Sequence, residues 1–210
     1  MYSEKRELPE FNSIWLKSVG NVIVQKSDVQ EVRIESDQNV VSKLKTQVKN
    51  GQLIIKVREA IPLWLAGMPR LDIYVRMKEI KLLKISGVGH IRSEGEIIQD
   101  QMIIMNNGVG GMHLKLTTDV LNSELNGVGE IELHGKTNKH FINVSGTGKV
   151  DAYHLETEEV DIKNSGVGEC VVFANKNLHV RSSGIGRVRY RGNASVRGSQ
   201  TGLGGIERIA

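Results

Sequence analysis

The chain has little cysteine, proline or aromatic residue, and each shortage narrows what it can be. A single cysteine, Cys170, in 210 residues excludes an intrachain disulfide. Aromatics make up 4%, so the core must be built from Ile, Val and Leu. No apolar run is long enough to cross a bilayer, so no transmembrane segment is expected. The opening residues, MYSEKRELPEF, are charged and lack an apolar h-region, so no signal peptide is expected in this chain. The protein is then either cytosolic or a form from which a leader has been removed. The net charge is only +4, with Lys and Arg scattered among 24 acids. Without a basic run or interleaved aromatics, nucleic acid is not an expected partner.

What is present is glycine, 23 residues of it against 3 prolines, in a background of β-branched residues. That mixture favours an all-β chain with many turns. The glycines are also ordered. SGVGHI from Ser86, NGVGGM from Asn107, NGVGEI from Asn126 and SGTGKV from Ser145 are followed by SGVGEC from Ser165, SGIGRV from Ser183 and TGLGGI from Thr201. Successive first glycines lie 21, 19, 19, 20, 18 and 18 residues apart. A period of about nineteen is too short for a propeller blade and lacks the leucine-rich pattern. It fits one coil of a right-handed parallel β-helix, a solenoid with short strands and tight corners.

Columns read down the repeats support strands. Two residues after each second glycine stand Ile91, Met112, Ile131, Val150, Cys170, Val188 and Ile206, an apolar column expected in the core. Cys170 is expected there as a buried, unreactive thiol. The next residue is mostly polar and the one after it mostly apolar, the period-two alternation of a half-buried strand. Four residues before each first glycine, Leu83, Ile104, Ser123, Ile142, Ile162, Val180 and Gly198 form a second inward column, weaker at its ends. Between the paired glycines stand Val88, Val109, Val128, Thr147, Val167, Ile185 and Leu203, a further apolar column that is also assigned to the core. Asn106 and Asn164, two residues before their glycines, are expected to satisfy backbone groups at the corners.

The chain divides into residues 1–82, a β-rich N-terminal part that forms early wide coils or a cap, and residues 83–210, a regular β-helix of about seven coils. Strands are expected at Ile14–Lys17, Val22–Gln25, Glu31–Glu35, Leu53–Val57 and Leu71–Arg76, with one helical turn at Asn39–Leu44. Asn50-Gly51 marks a hairpin turn. Val19-Gly20-Asn21-Val22 reads as a degenerate first copy of the repeat. Between two prolines, Trp64 stands among Leu63, Leu65 and Met68. Such a segment either folds over the core or offers an apolar contact to a ligand, a partner or a second copy in a homo-oligomer.

Catalytic signatures are missing. The six histidines come with neither a G-x-S-x-G elbow nor an H-E-x-x-H motif. The glycine units do not lead into helices as nucleotide loops do, and their period is about twice that of calcium-binding nonapeptide rolls. No metal or cofactor is expected. Glu130, Glu132, Asp151 and Glu169 fall on adjacent coils. Grouped carboxylates on an outer face are what a carbohydrate-active β-helix enzyme uses, whereas the interleaved Lys149 reads as a mixed-charge ladder.

The leading segment FNSIWLKSVGNVIVQKSDVQEVRIESDQNVVSKLKTQVKNGQLIIKV, followed by serial S-G-x-G-x-apolar units, resembles the family described as putative auto-transporter adhesin, head GIN domain. The resemblance runs from about Phe11 to Ile209. It implies a two-part β-helical protein exported by bacteria to the periplasm or cell surface. It implies no defined catalytic residue. The expected role is a non-enzymatic structural or binding module, adhesin-like, contacting glycan or a cell-surface protein. A carbohydrate-active enzyme using the carboxylate face is the competing expectation.

Overall fold

The computed structural model describes residues 2–57 and 70–209. The first part holds β1 (Tyr2–Arg6), β2 (Ser13–Leu16), β3 (Val19–Lys26), β4 (Glu31–Ser36), α1 (Gln38–Lys43), β5 (Leu44–Lys49), β6 (Gln52–Val57) and β7 (Asp72–Met77). The repeats hold β8 (Leu82–Ile85), β9 (Val88–Asn106), β10 (Val109–Leu125), β11 (Val128–Val144) and β12 (Thr147–Asn164). They end with β13 (Val167–Phe173), β14 (Asn177–Ser182), β15 (Ile185–Arg191), β16 (Ser195–Gln200) and β17 (Leu203–Arg208). Parallel coils stack into a β-solenoid of about seven turns.

From Gly87 onward each coil starts at a Gly-x-Gly unit, and the units stack in register. Gly110 pairs with Gly89 below it and Gly129 above it. The reason for glycine is close backbone approach. A Cβ on Gly108 would lie 2.1 Å from the Gly87 carbonyl oxygen, and one on Gly110 would lie 1.8 Å from that of Gly89. Gly110 also has φ +137°, which side chains oppose. The corner therefore excludes side chains for two reasons at once.

Alternation then sets the core. Ile91, Met112, Ile131, Val150, Cys170 and Val188 are buried, with Leu83, Ile104, Ile142, Ile162 and Val180 opposite them. Asn106 closes its own corner. Its Nδ2 donates to the Gly110 carbonyl at 3.0 Å, and its Oδ1 accepts from the Gly108 N–H at 3.1 Å. Asn164 Oδ1 accepts from the Gly166 N–H in the same way.

The residues between the glycines are not core. Val88, Val109, Val128, Val167, Ile185 and Leu203 are 49% to 71% exposed. Strand parity explains the correction: Val88 precedes the buried Ile91 by three residues, an odd offset, so the two side chains point to opposite faces.

The N-terminal residues join the same stack out of sequence order. β2 pairs in parallel with β8 on one side and β6 on the other, and β3 lies likewise between β9 and β7. Val19-Gly20 aligns with Val88-Gly89, so the degenerate copy is a true corner. The coil of β6 and β7 is thus outermost. It is covered by antiparallel β5 on β6 and β4 on β7, with β1 on β4. The turn of the β5–β6 hairpin has positive φ at both Asn50 and Gly51, the primed geometry that Asn-Gly favours. Helix α1 adds the buried Val40 and Val41 to the common hydrophobic core.

Candidate functional site

Two outer faces carry the side chains that could meet a partner. On the first, the strand just past each corner presents charges. Glu130, Lys149 and Glu169 are register partners on consecutive coils, as are Glu132 and Asp151 one rung over. The fold therefore brings all four predicted carboxylates onto one face, where each is held by a cation or a histidine. Lys149 Nζ lies 2.5 Å from Asp151 Oδ2 and 3.8 Å from Glu130 Oε1. Arg189 Nε donates to Glu169 Oε1 at 2.6 Å. His134 Nε2 and His113 Nδ1 each lie 2.8 Å from a different oxygen of Glu132.

These contacts set the protonation states. Hydrogen bonds from His134 and then His113 lower the Glu132 carboxyl below the usual range, so it is held ionised. The bond to Asp151 raises the Lys149 ammonium. A glycosidase needs one carboxylic acid pushed up to donate a proton. The shift resolved here, at Glu132, is downward. Beside this ladder runs a row of rings: His90 stacks near His113 with centroids 6.3 Å apart, and His134 on His154 at 5.1 Å. Among the described residues no group of three or more His, Cys, Asp or Glu is arranged to hold a metal ion.

The second face is the exposed apolar column. Val88, Val109, Val128, Thr147, Val167, Ile185 and Leu203 are successive register partners and form one unbroken ridge. Seven rungs, separated by six spacings of about 4.8 Å, make it about 29 Å long. Glycines flank it on both sides, so the aliphatic groups stand clear of neighbouring side chains. Beyond one glycine row lies a polar ladder of exposed Ser and Asn, where Asn126 Nδ2 donates to Asn107 Oδ1 at 3.0 Å and Ser145 Oγ donates to Asn126 Oδ1 at 2.7 Å. Scattered apolar residues on a surface are ordinary, but a contiguous row of this length is not.

Trp64, Leu63 and Leu65 lie outside the described residues. Sequence reasoning gave no weight to the other tryptophan, Trp15. Its ring carries Lys17 Nζ at 3.9 Å and Lys84 Nζ at 4.7 Å, and its Nε1 donates to Ser86 Oγ. The signal was Lys17 two residues on, which places it on the same strand face.

The solenoid thus carries an ion-paired and hydrogen-bonded charge ladder on one face and an exposed apolar ridge on another. The chain belongs to the family described as putative auto-transporter adhesin, head GIN domain, which residues 10–194 match. No curated relative matches it. Its fold is similar to that of a putative adhesin from Bacteroides fragilis NCTC 9343, with a TM-score of 0.93 and 23% identity over 99% of this chain and 96% of that one. It is also similar to a putative lipid binding protein from Parabacteroides distasonis ATCC 8503, with a TM-score of 0.75 and 21% identity over 100% of this chain and 96% of the other. A putative adhesin from Parabacteroides merdae ATCC 43184 follows, with a TM-score of 0.70 and 19% identity over 100% and 96%.

Proposed function

We propose that the protein is a non-enzymatic, adhesin-like binding module of the bacterial cell envelope, exported to the periplasm or cell surface. The observation that carries this reading is the ridge from Val88 to Leu203, a continuous row of residues whose aliphatic side chains stand about half or more in solvent. Family membership is consistent with it. Of the two partner classes expected, glycan and protein, the ridge favours protein. Sugar rings stack on aromatic faces, and the ridge contains none, whereas aliphatic methyls suit the apolar core of a protein interface. The carboxylate face acts as a solvated, ion-paired flank.

The test pairs binding with turnover. The immobilised protein is offered envelope protein extracts and a glycan array, beside the double variant Val109→Lys, Val128→Lys. Retention of envelope proteins that the variant loses, with its melting temperature unchanged, is the expected result. Depolymerisation of a polysaccharide, abolished by Glu132→Gln, would replace this reading with the enzymatic one.

A further inference from the structure

The last coils differ in charge from the rest of the molecule. Residues 181–210 hold six of the twelve arginines, no lysine and one acid, Glu207. Their net charge is +5, so residues 1–180 sum to −1 in a chain of +4. Arg181 and Arg189 are held by Asp161 and Glu169. Arg187 and Arg197 are exposed and make no ion pair among the described residues.

The same coils end in an unpaired edge. β16 pairs with β14 and β17 with β15, and among the described residues neither has a neighbour on its outer side. Backbone parity identifies the free groups. Ser195 N–H donates to the Lys176 carbonyl and Thr201 N–H to that of Ser182, so the odd-numbered residues of β16 bond inward. A parallel ladder then turns the N–H and C=O of Val196, Gly198 and Gln200 outward. In β17, Leu203 and Ile209 bond inward to Gly184 and Tyr190, which turns out Gly204, Ile206 and Arg208. The side chains of Val196 and Leu203 are exposed beside this edge. The opposite end differs, because antiparallel strands and α1 close it.

We propose that this end is a strand-addition site that takes an extended acidic segment of a partner protein as its next strand. The edge supplies main-chain donors and acceptors, and the arginines supply forked donors for carboxylates. A second copy fits poorly: two such ends would bring +5 against +5, and the other end offers no parallel coil edge. An anionic polysaccharide or phosphate would meet the arginines but could not continue the backbone ladder.

The experiment uses the 210-residue chain and a fluorescent peptide of alternating Glu and Val, with the Lys–Val peptide and a polyuronate as comparisons. The acidic peptide binds, at least about tenfold more tightly than the basic one, and more weakly as salt rises. On binding, the amides of Val196, Gly198 and Gln200 gain protection from hydrogen exchange. Val196→Pro removes one outward N–H and leaves the charge intact, whereas Arg187→Glu with Arg197→Glu leaves the edge intact. Each weakens binding about tenfold or more while the melting curve stays in place. Peptide binding indifferent to Val196→Pro, polyuronate binding as tight as that of the peptide, or a tail-to-tail dimer in sedimentation would each overturn the proposal.

Discussion

Ser123 Oγ and His140 Nε2 lie 2.7 Å apart inside the solenoid core, where both residues are almost fully buried. They replace apolar residues in columns otherwise filled by Ile104 and Ile142, and by Met102, Leu121 and Val160. His140 Nδ1 has no partner. Burial pushes the His140 imidazole down to about 3. The folded value lies below the unfolded one of about 6.5, so stability is complete above that pH and is lost progressively as pH falls toward 3. At pH 4.5 the loss from this group is about 2–3 kcal/mol. Urea unfolding at pH 7 and 4.5 measures it. The double variant Ser123→Ala, His140→Leu removes that part of the difference, whereas an unchanged pH dependence would assign it elsewhere.

The corners give a prediction of contrast. Gly110→Ala forces a Cβ to 1.8 Å from a carbonyl oxygen at positive φ, whereas Gly205→Ala meets nothing within 4 Å. The first costs about 3 kcal/mol or more, the second less than about 0.5 kcal/mol. Chemical denaturation of both variants tests whether inter-coil backbone approach is the reason for the motif.

Cys170 stands in the core column, 1% exposed, and burial pushes its thiol up to about 12. The folded protein therefore resists thiol reagents at neutral pH, and labelling follows the unfolding curve in denaturant. Fast labelling of the native protein would contradict the packing described.

The ladder around Lys149 should matter little to stability. Lys149, Glu130 and Asp151 are 37%, 44% and 25% exposed, and ion pairs open to solvent contribute about 0–1 kcal/mol. Lys149→Met is expected to stay inside that range, with the difference shrinking as salt is added.

Much of the fold was legible because glycine spacing and strand alternation are local signals. Asn106 could be placed at its corner from its position alone, and the Asn50-Gly51 turn from its residue types. The ridge is not legible from its apolar column alone, because parity with the buried Ile91 turns Val88 outward. β1 was missed because a charged edge strand carries no apolar pattern to read. The stacking order of β2 and β6 was also hidden, since pairing between distant segments depends on tertiary packing. As for the candidate site, grouping of the four carboxylates followed from register. Lys149 and His134 stand two residues from Asp151 and Glu132, but the contacts of His113 with Glu132 and of Arg189 with Glu169 reach across coils and have no signature in sequence.

The placement of β2 and β3 inside the stack has a consequence for how the chain acquires its shape. These strands are made early, yet their parallel neighbours β6 to β9 come 39 to 69 residues later in register, Ser13 facing Gln52 and Leu82. Loop closure over such distances slows nucleation. Emerging amino end first, the chain can complete its first turn only once the segment through β9 has followed and set β2 and β3 between their neighbours.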